Sequence, residues 1–305
     1  MTSETQLKSG YAAIIGKPNV GKSTLLNRLV PRKIAAMSCK PQTTRNKITG
    51  VVHLPGGQII LVDTPGIHSS TSRFNRLMVR ASLSTFHDVD LILFLIDARQ
   101  GFCPEDDFVL ESLKKTPVTQ ILVINKIDLV AKPDLLVLIE QMRQKAAFVE
   151  IVPISALKRD GLDLLVPLIL KYLPEGPQYF PEDMVTDCTE EFLLEEIVRE
   201  KIMNLTRFEI PYSVAVIVEN VMERENGVMA IDATICVEKA SQKKIIIGEK
   251  GGMLKKMGTA ARKEIEKRFG VRVYLNLFVK VKPKWRENDG FLKELGYLHD
   301  SYKNR

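Results

Sequence analysis

The sequence predicts an α/β domain with a mostly parallel sheet, followed by a smaller α+β domain. Three observations carry this. A glycine-rich loop at residues 16–23 stands between a short apolar run and a helical pattern, and strand and helix signals then alternate to residue 173. A Pro-rich stretch interrupts the chain at residues 174–183. Beyond it the pattern changes to helix, two strands, two helices and a strand, and the charge changes with it.

The 305 residues are long enough for about two domains. Hydrophobic content of 45% and charged content of 27% are those of an ordinary globular chain, which argues against widespread disorder. The longest apolar run, at 91–96, is a core strand rather than a membrane span. The polar start has neither an apolar signal region nor an Arg-rich transit pattern. Four scattered cysteines without a C-x-x-C pair support neither a disulfide framework nor a zinc site, and fit a reducing cytoplasm. The net charge is +7, and it is unevenly spread. Residues 239–305 hold 18 Lys and Arg against 7 Asp and Glu, so residues 1–238 are net acidic. A basic end of this kind suits a polyanion.

Taken in order, residues 1–10 are expected to be a tail and 11–15 a buried strand. Gly16-Lys17-Pro18-Asn19-Val20-Gly21-Lys22-Ser23 fits G-x-x-x-x-G-K-S/T, and Thr24 continues into a helix. Such a loop turns backbone N–H groups inward around phosphate oxygens and adds the helix N-terminus. Lys22 is placed to reach the β- and γ-phosphates and Ser23 to bind Mg²⁺. Residues 34–49 lack a clean period and contain Pro41-Gln42-Thr43-Thr44-Arg45. This is the expected switch segment, with Thr44 near Mg²⁺ and the γ-phosphate.

Residues 51–53 and 58–62 flank a Leu-Pro-Gly-Gly turn and read as a hairpin. The second strand runs into Asp63-Thr64-Pro65-Gly66. Asp63 is expected to hold the Mg²⁺ shell through water, and Gly66 to bring its N–H to the γ-phosphate. A polar loop at 69–75, a helix at 76–86, the strand at 90–96 and a helix from Pro104 follow. The strand at 120–124 ends in Asn125-Lys126-Ile127-Asp128. An Asp here can accept the N1–H and exocyclic amine of guanine, a donor pair that adenine lacks, while Asn125 and Lys126 brace the loops. A helix at 133–145, a strand at 148–153 and Ser155-Ala156-Leu157 come next, with the Ala156 N–H as the candidate donor to guanine O6. A helix at 161–173 closes the domain.

In their order these motifs resemble those of a small GTPase. The forms P-N-V-G-K-S and P-Q-T-T-R resemble the Era branch of the translation-associated GTPases. That implies a P-loop GTPase domain over 11–173, GTP and GDP as ligands, and Mg²⁺ as cofactor. Many GTPases carry a water-orienting Gln directly after D-x-x-G. Ile67 stands there and can neither donate nor accept, so intrinsic hydrolysis is expected to be slow. Among Lys22, Thr44 and Gly66, the groups nearest the reacting phosphate, none replaces it. His68 is not assigned as a base. Asn19 suggests a K⁺ beside the phosphates.

After a linker at 174–188, the second domain is expected over 189–282. Ile247-Gly248-Glu249-Lys250-Gly251 puts a G-x-x-G turn between two helices. Such a turn lets a sugar-phosphate backbone approach, and Lys243, Lys250, Lys255 and Lys256 add charge around it. Ile246, Ile247 and the sheet are expected to form an apolar floor for bases. This region resembles a type II KH domain, and with the 283–305 segment the resemblance to the Era branch spans nearly the whole chain. Trp285 is expected to pack that segment. The resemblance implies a monomer that binds single-stranded RNA near the 3′ end of the 16S rRNA. It would assist assembly of the small (30S) ribosomal subunit, in the cytoplasm, in connection with growth and cell-cycle control. Two rivals are a constitutive RNA-binding protein and a membrane-linked switch. The full motif set argues against the first. A clamp in place of an amphipathic anchor argues against the second, with peripheral contact on the inner membrane left open.

Overall fold

The computed structural model describes residues 7–67 and 72–298. The expected loop at 69–75 therefore lies partly, and His68 wholly, outside the described residues. The chain divides into two compact units. One comprises Met1–Ala35 with Thr44–Asp187, the other Ala36–Thr43 with Cys188–Arg305.

The first unit is a six-stranded sheet. Its strands are β1 (Lys8–Ile15), β2 (Ile48–Leu54), β3 (Gly57–Asp63), β4 (Leu91–Asp97), β5 (Thr119–Asn125) and β6 (Glu150–Ile154). They lie in the order β2-β3-β1-β4-β5-β6. All neighbours are parallel except the β2–β3 hairpin. Helices α1 (Lys22–Leu29), α2 (Arg73–Ser84), α3 (Pro104–Leu113), α4 (Lys132–Lys145) and α5 (Leu162–Tyr172) complete it. β3 and β4 are buried along their whole length, as strands covered on both faces must be. The strand order reverses at β1, so the crevice above its carboxyl end is where such a sheet takes a ligand.

Two expectations are corrected here. β1 begins at Lys8 rather than at residue 11, since Lys8, Ser9 and Gly10 pair with Gly57, Gln58 and Ile59. Residues 8–10 of the expected tail are therefore strand, and residues 1–6 lie outside the described residues. The Pro-rich 174–188 stretch has no helix or strand, but it is tied to the hairpin. Gln58 Oε1 accepts from the N–H groups of Tyr179 and Phe180, its Nε2 donates to the Phe180 carbonyl, and the Val51 N–H donates to Val185.

The second unit contains α6 (Glu190–Leu205), α7 (Ile210–Ser213), β7 (Ala215–Glu223), β8 (Met229–Val237), α8 (Ala240–Ile247), α9 (Gly252–Phe269), β9 (Val273–Val281) and α10 (Asp289–Glu294). β8 pairs antiparallel with β7 and parallel with β9. α6, α8 and α9 contribute Leu194, Val198, Ile246, Met257 and Ile265 to a core with Ile231, Ala233 and Ile235 of β8. Trp285 is fully buried, donates its indole N–H to the Ser213 carbonyl at 2.9 Å, and meets Phe291 edge-on. Among the described residues no helix is long and apolar enough to cross a membrane.

Ala36–Thr43 is held in this unit by polar bonds. Glu200 accepts the Met37 N–H at 2.8 Å. Arg199, 2% exposed, donates to Glu196 at 2.7 and 2.5 Å and to the Thr43 carbonyl. Arg199→Ala would leave the Glu196 carboxylate buried and unpaired. The expected loss is about 3–5 kcal/mol in urea unfolding, most of it recovered when Glu196 is also made apolar.

Glu195 provides a pH test. Burial first, then Glu196 and Glu191, push its carboxyl from 4.5 up to about 7, against the Val218 N–H and Arg199. The folded chain therefore holds this proton more tightly than the unfolded chain. The protonated carboxyl contributes stability below about pH 4.5, which is lost as pH rises towards about 7. Glu195→Gln should flatten that window and gain about 1–2 kcal/mol at pH 8, read by urea unfolding at several pH values.

Candidate nucleotide and nucleic-acid sites

The loops that follow β1, β3, β5 and β6 carry the predicted residues to one end of the sheet. After β1 the chain turns through Asn19 and Gly21 in left-handed conformation, and α1 starts at Lys22. Lys22 is 6% exposed and its ammonium donates to the carbonyls of Gly16 and Lys17 at 3.0 and 2.9 Å. Burial pushes its pKa down to about 8, with Asp63 opposing the shift. Lys17 turns its ammonium away from the loop, to Asp106 at 2.8 Å and Cys103 at 2.6 Å. Of Lys17 it is therefore the backbone carbonyl, not the ammonium, that meets Lys22.

Three oxygens converge beside Lys22. Ser23 Oγ lies 2.7 Å from Thr44 Oγ1 and 2.7 Å from Asp63 Oδ2, and Thr44 Oγ1 lies 3.0 Å from that same carboxylate oxygen. Asp63 is fully buried, and its Oδ1 has no hydrogen-bond partner among the described residues. Burial pushes its pKa up, while Lys22, Ser23 and Thr44 pull it down. Two hydroxyls and a carboxylate with an unmatched oxygen are a hard, all-oxygen donor set, which fits Mg²⁺. Gly66 passes so close to the phosphate loop that a Cβ there would lie 2.7 Å from the Pro18 nitrogen. No other residue type can take that path. Thr64 bonds the Ile14 carbonyl at 2.9 Å, and the carbonyl of Pro65 accepts from Ser82 at 2.7 Å. Ile67 is fully buried among Ala13, Phe94 and Val109, so its side chain is part of the core.

The base loops are joined to the phosphate loop. Asn125 donates to the Val20 carbonyl at 2.7 Å and accepts the Ala156 N–H at 3.0 Å. The Ala156 N–H expected at guanine O6 is thus engaged by Asn125. Lys126 donates to the Asn19 carbonyl at 2.7 Å and to Asp97 at 2.6 Å. Ser155 donates to Asp128 Oδ1 at 2.7 Å, which fixes the carboxylate's direction. Leu157 is exposed at the end of this loop. Sequence reading missed Asp97 and Asp106. Asp97 had a signal, an acid ending a fully apolar strand, as Asp63 does.

In the second unit the G-x-x-G turn joins α8 to α9 as predicted. Gly248, Lys250 and Gly251 all have positive φ, of 73°, 48° and 78°. A Cβ on Gly248 would lie 2.6 Å from that of Met253, whereas none of the described residues stands within 4 Å of one built on Gly251 or Gly252. The turn therefore offers open space directly before the N-terminus of the 18-residue α9. Glu249, Lys250, Lys255 and Lys256 are exposed around it, and Lys243 and Ile247 are half-buried. Ile246 is fully buried in the core and cannot form the expected floor for bases.

Known proteins match both units of the chain. A family model described as 50S ribosome-binding GTPase matches residues 11–126, and a KH domain model matches residues 209–286. GTPase Era of Geobacter sp. (strain M21) is 52% identical over 295 residues, covering 97% of this chain and 99% of its own. GTPase Era of Syntrophus aciditrophicus (strain SB) is 52% identical over 291 residues, covering 95% of each. The crystal structure of a point variant of Aquifex aeolicus Era bound to GDP·AlF₄⁻ superposes with a TM-score of 0.93 at 44% identity, covering 96% of this chain and all of that one. The crystal structure of Era with MgGDPNP and nucleotides 1506–1542 of 16S ribosomal RNA gives the same TM-score of 0.93 and identity of 44%. With a GTPase model matched in the first unit, a KH model in the second, and relatives half identical over nearly the whole chain, the chain belongs to the Era family of GTPases.

Proposed function

We propose that this protein binds and hydrolyses GTP, holds single-stranded 16S rRNA near its 3′ end, and assists assembly of the small ribosomal subunit in the cytoplasm. The observation that carries the reading is one chain with a guanine-type nucleotide site and a G-x-x-G turn, similar throughout to an Era crystallised with MgGDPNP and that RNA segment. Growth and cell-cycle links follow from a ribosome-assembly role.

In this reading the N–H groups of the 16–24 loop cradle the phosphates and Lys22 neutralises them. Ser23 and Thr44 would hold Mg²⁺ directly and Asp63 through water, and the ion would supply charge to the β- and γ-oxygens. Gly66 gives its N–H to the γ-phosphate, and Asp128 reads guanine with Ser155 aiming its carboxylate. Ile67 cannot orient water, so the unassisted rate is slow. Asn19 would help to hold K⁺ where added positive charge is useful. Turnover is therefore expected to be at least several-fold faster in KCl than in NaCl, and equal rates would remove Asn19 from this role.

The RNA half is tested by equilibrium binding of a single-stranded oligonucleotide copying the 16S 3′ end. Micromolar or tighter binding that weakens about 10-fold or more in Lys250→Glu supports the reading. No binding at any salt concentration, with flotation on anionic vesicles instead, would transfer the basic end to a membrane.

A further inference from the structure

The β7–β8–β9 sheet has one face against the helices and one that faces away from them. The register places Met222, Ala230 and Tyr274 in one row of the outer face, Asn220, Asp232 and Asn276 in the next, and Ile217, Thr234 and Phe278 in a third. The inner rows are the core residues Val216, Val218, Ile231, Ala233, Ile235 and their neighbours on β9. On the outer face two aromatic rings stay half in water, Tyr274 at 50% and Phe278 at 55% exposure. Single exposed rings are ordinary on a protein surface, so what singles these two out is that they share one sheet face with Met222, also half exposed, beside several cations.

Their surroundings are cationic. The Arg224 guanidinium lies over the Tyr274 ring, 4.6 Å from its centroid. Arg262 and Arg272 join Arg224 and Tyr274 around a shallow cleft of about 710 Å³ at that end of the sheet. Lys280 is exposed two residues beyond Phe278 on the same face. Acids are interspersed among these cations: Glu219, Glu223 and Glu225 of β7 and its turn are exposed, whereas Asp232 and Glu266 are engaged. Asp232 accepts from Asn276 at 3.0 Å, and Glu266 accepts the Val273 N–H at 3.2 Å. Stacking rings flanked by guanidinium groups suit a partner with aromatic faces and repeated negative charge, and single-stranded nucleic acid has both.

We propose that this outer sheet face is a second RNA platform, separate from the G-x-x-G turn. It takes two bases of a single strand on Tyr274 and Phe278, with Arg224, Arg262, Arg272 and Lys280 on the phosphates. The rings are four residues apart on β9, about 13 Å, so they take bases that are not adjacent. The Asp232–Asn276 pair between them presents a donor and an acceptor to the intervening base edge. Sheet aromatics stack bases by the same physics in other RNA-binding folds. The inference rests on the RNA reading above and adds to it a length of strand that one four-nucleotide clamp does not hold.

The test uses the full chain and two single-stranded RNAs from the 16S 3′ end, one of about 5 nucleotides and one of about 15, the first sized to the clamp. Wild-type protein is expected to bind the longer RNA about 100-fold more tightly, since each of the two stacked bases contributes about 10-fold. Tyr274→Ala and Phe278→Ala should each weaken the longer RNA by about 10-fold and leave the short RNA unchanged, while Tyr274→Phe keeps the wild-type affinity. Ultraviolet cross-linking should place the longer RNA on the peptide that contains both rings. The inference fails if the alanine variants bind the longer RNA as wild type does. It also fails if they lose both RNAs equally, or if they abolish a self-association of the wild-type chain instead. Failure of wild type to bind either RNA would overturn the RNA reading itself.

Discussion

Asp128→Asn is expected to lower GTP affinity by about 100-fold or more and to make xanthosine triphosphate the better ligand. The structure gives the reason. Ser155 donates to one carboxylate oxygen at 2.7 Å and aims the group, and each oxygen keeps a lone pair for the base. A carboxylate can accept both the N1–H and the exocyclic amine of guanine. An amide at the same place meets that amine with an N–H of its own, and two donors facing each other cost several kcal/mol. Xanthine carries an oxygen at that position and accepts from the new amide. Competition of the two triphosphates against a labelled GDP analogue reads the switch directly. Undiminished GTP affinity would remove Asp128 from the base site.

Ser23→Ala is the second large effect. Its hydroxyl lies at the meeting point of Thr44 and Asp63, 2.7 Å from each. Without it the oxygen set falls from three residues to two, and Asp63, already carrying one unpartnered buried oxygen among the described residues, loses a hydrogen bond as well. A lost bond to a charged group is worth about 1.5–3 kcal/mol, which corresponds to about 10–150-fold. Mg²⁺-dependent GTP affinity is therefore expected to fall by about that factor, and GTP turnover at least as far. Affinity measured in EDTA should change little, because the phosphate loop's N–H groups remain. An equal loss with and without Mg²⁺ would mean that Ser23 supports the loop and not the metal.

Most of the nucleotide site could be read from the sequence because its residues stand at strand ends. An apolar run that stops at Asp63 or Asn125 marks both the strand and the residue it delivers. In the second unit the main order was legible from strand-like alternation and a G-x-x-G between two helical patterns, and only the short α7 and α10 were not read. What stayed hidden was held by contacts between distant parts of the chain. The Lys17 ammonium pairs with Asp106, 89 positions away, a partner that no local pattern announces. Ile246 and Ile247 are adjacent and equally apolar, and only the packing of α8 assigns one to the core and leaves the other half-buried. The start of β1 was missed because Lys8, Ser9 and Gly10 have no strand preference of their own and are recruited by pairing with β3. Ala36–Thr43 has no period at all. Its place in the second unit depends on Arg199 and Glu200, buried charges whose partners no local pattern announces.

The nucleotide site and the RNA site are expected to serve one cycle. The most direct measurement is GTP turnover in K⁺ buffer, with and without saturating RNA that copies the 3′ end of the 16S rRNA. A slow basal rate should rise several-fold with RNA, and the rise should be lost in Lys250→Glu although its basal rate is kept. A rate that is the same with RNA bound as without it would contradict a single cycle.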